Sequence, residues 1–130
     1  MHIVTPHRDH ALPATRALIA EIVAELPTRP ADPFLIIGPA ADELTYAQAC
    51  WTGTGFELEY QEGTVDRHYR SERRDLSVAQ VTEALGAYLD GNPAWRYAFR
   101  FEPKVIRPLS YRMGHRIGWA FGRLKSWLAG

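Results

Sequence analysis

The chain has 130 residues and a mass of 14.7 kDa, a size that suits one domain with a hydrophobic core of its own. Its composition is 46% hydrophobic and 23% charged, close to the globular average, which disfavours a disordered chain or a coiled coil. Fifteen basic residues balance fifteen acidic ones, so the positive excess typical of nucleic-acid-binding proteins is missing and no nucleic-acid partner is expected.

The two halves of the chain nevertheless differ strongly in charge. Residues 1–66 contain ten Asp or Glu and three Arg, whereas residues 67–130 contain twelve Lys or Arg and five acids. The halves therefore carry net charges of −7 and +7. Two interpretations are open: the fold mixes these charges in space, or opposite fields stabilise the fold or face different partners.

The cellular compartment is indicated by cysteine usage and by the absence of targeting patterns. A single cysteine, Cys50, cannot form a disulfide within the chain, which fits a reducing environment. The first residues lack the long apolar segment of a secretion signal, and no run approaches the roughly 18 apolar residues of a membrane span. We expect a cytoplasmic protein.

The first third of the chain predicts one helix and at most one strand. Residues 2–5 form either a short strand or an irregular N-terminus. Residues 13–26 predict an amphipathic helix, with Pro13 in its first turn. Apolar residues recur there at every fourth position: Leu18, Ile22 and Leu26. The prolines of residues 27–33 end that helix and form a connector.

Three strands and a hairpin are predicted next. The apolar run 34–37 is a buried strand, and residues 44–51 are a second one, with Tyr46 and Gln48 opposite in side to Ala47 and Ala49. Three apolar residues then alternate with polar ones, as in a half-buried antiparallel strand: Phe56, Leu58 and Tyr60. Gly63 favours a tight hairpin. Residues 65–72 would return as the next strand.

The register of this hairpin decides which charges meet. A symmetric loop places Tyr60 opposite Val65 on the inner side of the sheet and Glu57 opposite His68 on the outer side. It also sets Glu59 against Asp66, an unfavourable pair of like charges. A bulge of one residue would instead place Glu57 opposite Arg67.

A second helix and a last strand follow the hairpin. Ser77 and Gln80 fit a capping box, and Gly91 supplies a C-terminal stop, so residues 77–90 predict a helix that packs on the sheet. Residues 96–102 alternate aromatic residues with Arg and Ala and predict a final strand.

Residues 103–130 differ from the rest because they carry six Lys or Arg and no acid. Their apolar residues follow helical spacing and predict a basic amphipathic C-terminal helix. This helix either packs on the protein's own sheet, binds a partner, or lies on an anionic membrane surface. The residues that would make such contacts are Arg112, Arg116, Trp119, Arg123, Lys125 and Trp127.

Catalytic and metal sites are only weakly indicated. Glu57 and Glu59 point the same way from one strand, and His68 nearby would suit a small hydrolase. The simpler interpretation is a solvated sheet face, since no nucleophile lies at a recognisable turn. His2, His7 and His10 follow no zinc-ligand spacing. We therefore expect no catalytic residues, no metal and no cofactor.

Three segments carry a resemblance to a known group of proteins. They read YAQA, GFELEYQEGTVDRHYRSE and YLDGNPAWRYAFRFE, with an amphipathic helix between the last two. The pattern Glu-Tyr-x-x-Gly…Asp-x-His-Tyr-Arg and the later Tyr-Leu-x-Gly-x-x-x-Trp resemble small bacterial immunity-type proteins, which are often encoded beside secreted or contact-delivered toxins. The resemblance covers residues 46–102; the N-terminal helix and the basic tail lie outside it.

The resemblance implies a small α+β fold and a protein that neutralises a cognate toxin by binding it, without catalysis. It implies that Trp95 is structural. It makes five residues candidates for an exposed, partner-binding face: Glu57, Glu59, Asp66, His68 and Arg70. We expect a single α+β domain whose antiparallel sheet has four to six strands, with two helices on one face. The alternatives are the small hydrolase and a membrane-peripheral or secretion adaptor that acts through residues 103–130.

Overall fold

A computed structural model describes residues 1–29, 31 and 33–104 of the chain. The strands are β1 (His2–Val4), β2 (Leu12–Pro13), β3 (Phe34–Gly38), β4 (Thr45–Trp51), β5 (Phe56–Glu62), β6 (His68–Ser71) and β7 (Phe101–Pro103). The helices are α1 (Arg16–Glu25), α2 (Val78–Leu89) and α3 (Trp95–Ala98).

All seven strands form one antiparallel sheet in the order β2-β1-β3-β4-β5-β6-β7. The predicted α+β class with an antiparallel sheet is confirmed. The sheet has more strands than the four to six expected because β1, β2 and β7 are only two or three residues long. Strands of that length carry little sequence pattern of their own.

Helix α1 begins later than its apolar pattern predicts. Thr15 is the N-cap, and its side chain accepts a hydrogen bond from the Leu18 N–H at 3.1 Å. Pro13 lies in β2, and the next residue, Ala14, donates its N–H to the Met1 carbonyl oxygen at 2.9 Å. The placement of Pro13 in the first turn is therefore wrong, because a threonine cap satisfies the free N–H groups two residues later.

Helix α2 follows its sequence signals closely. The Ser77 hydroxyl accepts from the Gln80 N–H, and the Gln80 side chain accepts from the Ser77 N–H, so the capping box is formed. Gly91 follows the helix with a φ of 74°, a conformation that glycine adopts without strain. The second predicted helix is confirmed.

Both long helices pack on one side of the sheet, which we call the helix face. Their core residues include Ile19 and Ile22 of α1 and Val81 and Leu85 of α2. The strands contribute alternate residues to this core: Ile3, Leu35, Ile37, Ala47, Ala49, Phe56, Leu58 and Tyr60. The prediction of two helices on one face is confirmed.

The opposite side of the sheet, which we call the second face, is divided into an apolar and a polar part. The apolar part is a buried cluster: Val4, Ala11, Phe34, Ile36 and Tyr46, with Cys50 packed against it. The polar part comes from β4, β5 and β6: Gln48, Glu57, Glu59, Gln61, His68 and Arg70. No residue of α1, α2 or α3 belongs to the apolar cluster.

The hairpin of β5 and β6 is confirmed, but its predicted register is wrong. Tyr60 pairs with Tyr69 instead of Val65, a shift of four positions, and Glu59 pairs with Arg70. The loop is longer than a tight turn because Thr64 caps a short 3-10 turn at Val65–Arg67 by accepting from the Asp66 N–H. Gly63 has the expected positive φ, at 75°.

Residues 96–102 do not form one strand. The Asn92 side chain accepts from the Ala94 N–H in the turn before α3. Residues 95–98 are helical, and β7 begins only at Phe101. Trp95 turns inward, with its ring 5.0 Å from Tyr60 and 5.6 Å from Phe101. Burial of this indole outweighs the alternating pattern, and it agrees with a structural role for Trp95.

The predicted C-terminal helix and its candidate contact residues lie outside the described residues. They are Arg112, Arg116, Trp119, Arg123, Lys125 and Trp127.

Candidate functional site

The most concentrated group of charges in the described part of the chain lies on the polar part of the second face. We call it the Glu59 cluster: Glu57, Glu59, Gln61, His68 and Lys104. Glu59 is its centre and only 4% exposed. One carboxylate oxygen, Oε2, lies 2.9 Å from His68 Nε2, and the other, Oε1, accepts from Lys104 Nζ at 2.6 Å.

His68 is also buried, and both of its ring nitrogens have polar partners. Nδ1 lies 3.2 Å from Gln61 Oε1, while Nε2 lies against the Glu59 carboxylate. The amide orientation of Gln61 follows from its other end, because Nε2 donates to the Leu44 carbonyl oxygen at 2.9 Å. Both ring nitrogens are thus within hydrogen-bond distance of an oxygen atom, so the contacts of this buried ring are satisfied within the cluster.

The two glutamates of β5 have opposite ionisation behaviour. Burial alone would raise the pKa of Glu59, but hydrogen bonds from His68 and Lys104 outweigh it and lower the pKa to about 2. Burial raises the pKa of Glu57, and the neighbouring Glu59 charge raises it further. Arg74 and Lys104, 3.7 and 4.0 Å away, only partly compensate.

Two carboxylates with separated pKa values are a feature of sites that carry out acid–base catalysis. Each oxygen of Glu59 already has a hydrogen-bond partner, and both ring nitrogens of His68 are engaged by Gln61 and Glu59. Glu57 is the more accessible of the two acids, with its side chain 14% exposed. The cluster is organised to stabilise buried charge more than to transfer protons.

The expected solvated face of the hairpin is wrong for its central residues. Glu59 and His68 are buried, and Glu57 is largely covered. Arg70 is partly exposed and pairs with Glu102 at 2.8 Å, whereas Asp66 is exposed in the loop. Of the five predicted partner-binding residues, the structure brings Glu57, Glu59 and His68 together and leaves Asp66 apart.

Lys104 and Gln61 are members of this cluster that sequence reasoning did not select. Lys104 reaches Glu59 across 45 positions of the chain, because β7 lies beside β6 and the N–H of Lys104 donates to the His68 carbonyl oxygen. Nothing in the local sequence encodes that pairing. The signal present for Gln61 was its position, since it shares a side of β5 with Glu57 and Glu59.

A second group of residues lies at the end of the sheet where β5 finishes. We call it the end surface: Leu44, Glu62, Val65, Arg67, Arg96 and Tyr97. Glu62 holds it together, because its two oxygens contact Arg67 at 2.6 Å and Arg96 at 2.5 Å. The N–H of Gly63 donates to the Leu44 carbonyl oxygen at 3.1 Å, which brings the start of β4 to the same place.

The end surface exposes large apolar and aromatic side chains. Tyr97 is 86% exposed, Val65 46% and Leu44 40%. Arg96 is held in position, since its guanidinium carbon lies 4.9 Å from the centre of the Tyr60 ring and 5.4 Å from that of Trp95. Tyr97 therefore projects from a short helix whose neighbouring residues are anchored.

Two of the N-terminal histidines, His7 and His10, line a small cavity of about 220 Å³. It is lined by His7, Arg8, Asp9, His10 and Leu12. Arg8 forms an ion pair with Glu25, to which both of its terminal nitrogens donate hydrogen bonds at 3.2 Å. Within residues 1–29, 31 and 33–104 no group of three or more metal-binding side chains converges.

Comparisons with known proteins identify no relative. No protein-family model matches the sequence, and neither a curated protein nor a solved structure matches the chain. Among the described residues, none of the helices has the length and apolar character needed to cross a bilayer.

Proposed function

We propose that the protein is a non-catalytic binding module of the immunity type, which neutralises a cognate bacterial toxin by direct contact. The observation that supports this is the end surface, where Tyr97, Val65 and Leu44 are exposed around an anchored Arg67–Glu62–Arg96 group. None of the five expected binding residues belongs to the end surface, although Asp66 lies between Val65 and Arg67 at its edge.

The composition of the end surface suits protein recognition. Tyrosine and arginine are enriched among the residues that dominate binding energy, and such residues act best when their neighbours hold them in place. The Glu62 bridges and the aromatic rings under Arg96 supply that support. Charges of both signs at the rim, from Asp66 and Arg67, favour rapid capture of a charged partner.

The hydrolase alternative gains less support from the same geometry. A general base needs a free lone pair within reach of the substrate, but Glu59 and His68 are buried and turned toward each other. The Glu59 cluster in this proposal stabilises the sheet that carries the end surface. The class of partner comes from the resemblance of residues 46–102, and the cytoplasm of the toxin-producing cell is the proposed site of action.

The proposal is tested with the toxin domain encoded beside the gene of this protein, produced in a heterologous host. Co-expression of the full-length chain is expected to restore growth, and the purified pair to bind in calorimetry. Replacing Tyr97→Ala or Val65→Asp should weaken binding by at least about 30-fold, the equivalent of 2 kcal/mol at a dominant contact.

Val78→Asp is the matched control. Val78 is another exposed valine, at 40%, and it begins α2 near Phe56, at the opposite end of β5. An acid in the first turn of a helix is favourable, so this variant should fold and bind like the wild type. Equal binding by all variants would overturn the end surface, and growth inhibition that the wild type does not relieve would overturn the immunity function.

We also propose a helical structure for the C-terminal segment. Residues 105–130, which follow Pro103 of β7 and Lys104, form a basic amphipathic helix in this proposal, because their apolar residues recur with helical spacing among arginines and lysines. Circular dichroism of the full-length chain compared with a variant carrying Ile117→Pro would show whether this helical content exists.

A further inference from the structure

We propose that residues 105–130 bind to the second face of the sheet in the same molecule and cover its apolar cluster. This assigns the second face one occupant, the C-terminal segment of the chain itself. A second copy, a membrane or another protein are the occupants that the experiment must exclude.

The apolar cluster of the second face is buried. Phe34 and Tyr46 are at most 2% exposed, and Ile36 is 3% exposed. The two long helices pack on the helix face, and no residue of theirs belongs to this cluster. A sheet with apolar residues on both faces needs a covering layer on each of them.

The described chain ends at Lys104, close to the second face. Lys104 follows β7, donates its N–H to the His68 carbonyl oxygen and directs its ammonium group to Glu59. The chain therefore leaves the sheet at the polar part of the second face. The apolar cluster begins at β4, two strands away from β6, so about 10 Å separate the exit from the cluster at the usual strand spacing.

The C-terminal segment matches the second face in length and the rest of the chain in charge. Twenty-six residues remain, which would span about 39 Å as a helix, enough to cross from β6 to β1. Residues 1–104 contain all fifteen acids and ten of the basic residues, a net charge of −5, whereas residues 105–130 contain five basic residues and no acid. The apolar stripe available for the contact is Met113, Ile117, Phe121, Leu124 and Leu128.

The only cysteine of the chain provides the test. Cys50 is partly buried and packs against the apolar cluster of the second face, so its reaction rate with a thiol reagent reports on the cover of that face. In the full-length protein, the double change Ile117→Asp and Phe121→Asp should speed the modification of Cys50 by at least about tenfold. Val78→Asp, on α2, should leave the rate unchanged.

Unfolding would also expose Cys50, so the rate is compared with the free energy of unfolding of each variant. A second experiment adds a cysteine, Phe121→Cys, and applies a short bismaleimide to the full-length chain. Cross-linking within one molecule is the expected result. Cross-links only between two molecules, an unchanged Cys50 rate in the double variant, or binding to anionic vesicles without any change in that rate would each overturn the proposal.

Discussion

Glu57 and Glu59 show how strongly position decides the behaviour of one residue type. They lie two positions apart on the same side of β5 and share Lys104 as a neighbour. Glu59 accepts two short hydrogen bonds, from His68 and Lys104. Glu57 has only the longer ion pairs with Arg74 and Lys104, at 3.7 and 4.0 Å, and the charge of Glu59 repels its own. The folded state therefore favours the charge on Glu59 and disfavours the charge on Glu57.

We expect opposite results from the same substitution at these two positions. Glu59→Gln should lower the free energy of unfolding at pH 7 by about 3–5 kcal/mol, because Lys104 loses its counter-charge and His68 loses the carboxylate that it contacts. Glu57→Gln should leave stability unchanged or raise it by up to about 1 kcal/mol, since it removes a charge whose pKa is raised by burial. Urea unfolding followed by fluorescence would measure both variants.

The comparison contains its own control, because the two variants make the same chemical change on one strand. Equal losses would show that the second face tolerates no neutral side chain, and the argument from hydrogen bonding would fail. A stable Glu59→Gln variant would mean that His68 and Lys104 find other partners.

At the scale of the elements, local signals predicted what local interactions determine. The capping box of Ser77 and the glycine after the helix correctly predicted α2, and Gly63 correctly predicted the hairpin. The register could not be predicted in the same way, because Thr64 competes with the tight turn by capping a 3-10 turn that lengthens the loop. Residues 96–102 were misjudged for a related reason, since the burial of Trp95 depends on Tyr60 from a distant strand.

The polar second face was beyond prediction for a different physical reason. Alternation of apolar and polar residues in β5 is typical of a strand with one wet side, and it predicted solvent around Glu59. The pairing that compensates its burial comes from Lys104, which the chain brings near only after α2, α3 and β7 have formed. Candidate site residues could therefore be named from the sequence, but not their burial or their partners.

Two glycines in tight contacts lead to a prediction about the packing of the elements. A Cβ at Gly55 would overlap the backbone of Asp75, whereas one at Gly86 of α2 would meet only the guanidinium group of Arg16. Neither glycine has a positive φ, so the contacts alone decide. Gly55→Ala should cost about 1–3 kcal/mol because backbone must move, and Gly86→Ala should change stability by less than about 1 kcal/mol.

Thermal or urea unfolding of the two alanine variants would measure this difference. Arg16 can turn aside because it is half exposed, and its ion pairs with Asp90 and Glu83 contribute little there. A large loss at Gly86 would show instead that the packing of α1 against α2 depends on the position of that arginine.

At the scale of the whole molecule, the acidic and basic halves of the chain meet along β5. Glu57, Glu59 and Glu62 belong to the acidic half, and each pairs with cations of the basic half. These cations come from three separate places, which are the β5–β6 hairpin, the loop before α2, and the segment from α3 to Lys104. The uneven charge of the sequence is thus partly neutralised within the described fold.

This arrangement predicts a stability that depends on acid pH. The pKa of Glu59 is lowered in the folded protein, to about 2 from an ordinary value of 4.5, so its contribution is complete above pH 4.5 and is lost as the pH falls toward 2. The contribution amounts to about 3 kcal/mol from that difference in pKa. Glu57 has the opposite sign, because its raised pKa means that protonation near and above pH 4.5 favours the folded state.

Unfolding free energies measured from pH 2 to pH 7 for the wild type and for Glu59→Gln would isolate this contribution. The difference between the two proteins should be constant above about pH 5 and shrink steadily below pH 4.5, since glutamine does not titrate. Other acids lose their ion pairs in the same range in both proteins. The comparison is made in a Glu57→Gln background, because Glu57 is the acid whose pKa depends on the Glu59 charge. A difference that stays constant down to pH 2 would mean that the Glu59 carboxylate is not preferentially stabilised by folding, and that its burial is compensated by hydrogen bonds that glutamine also forms.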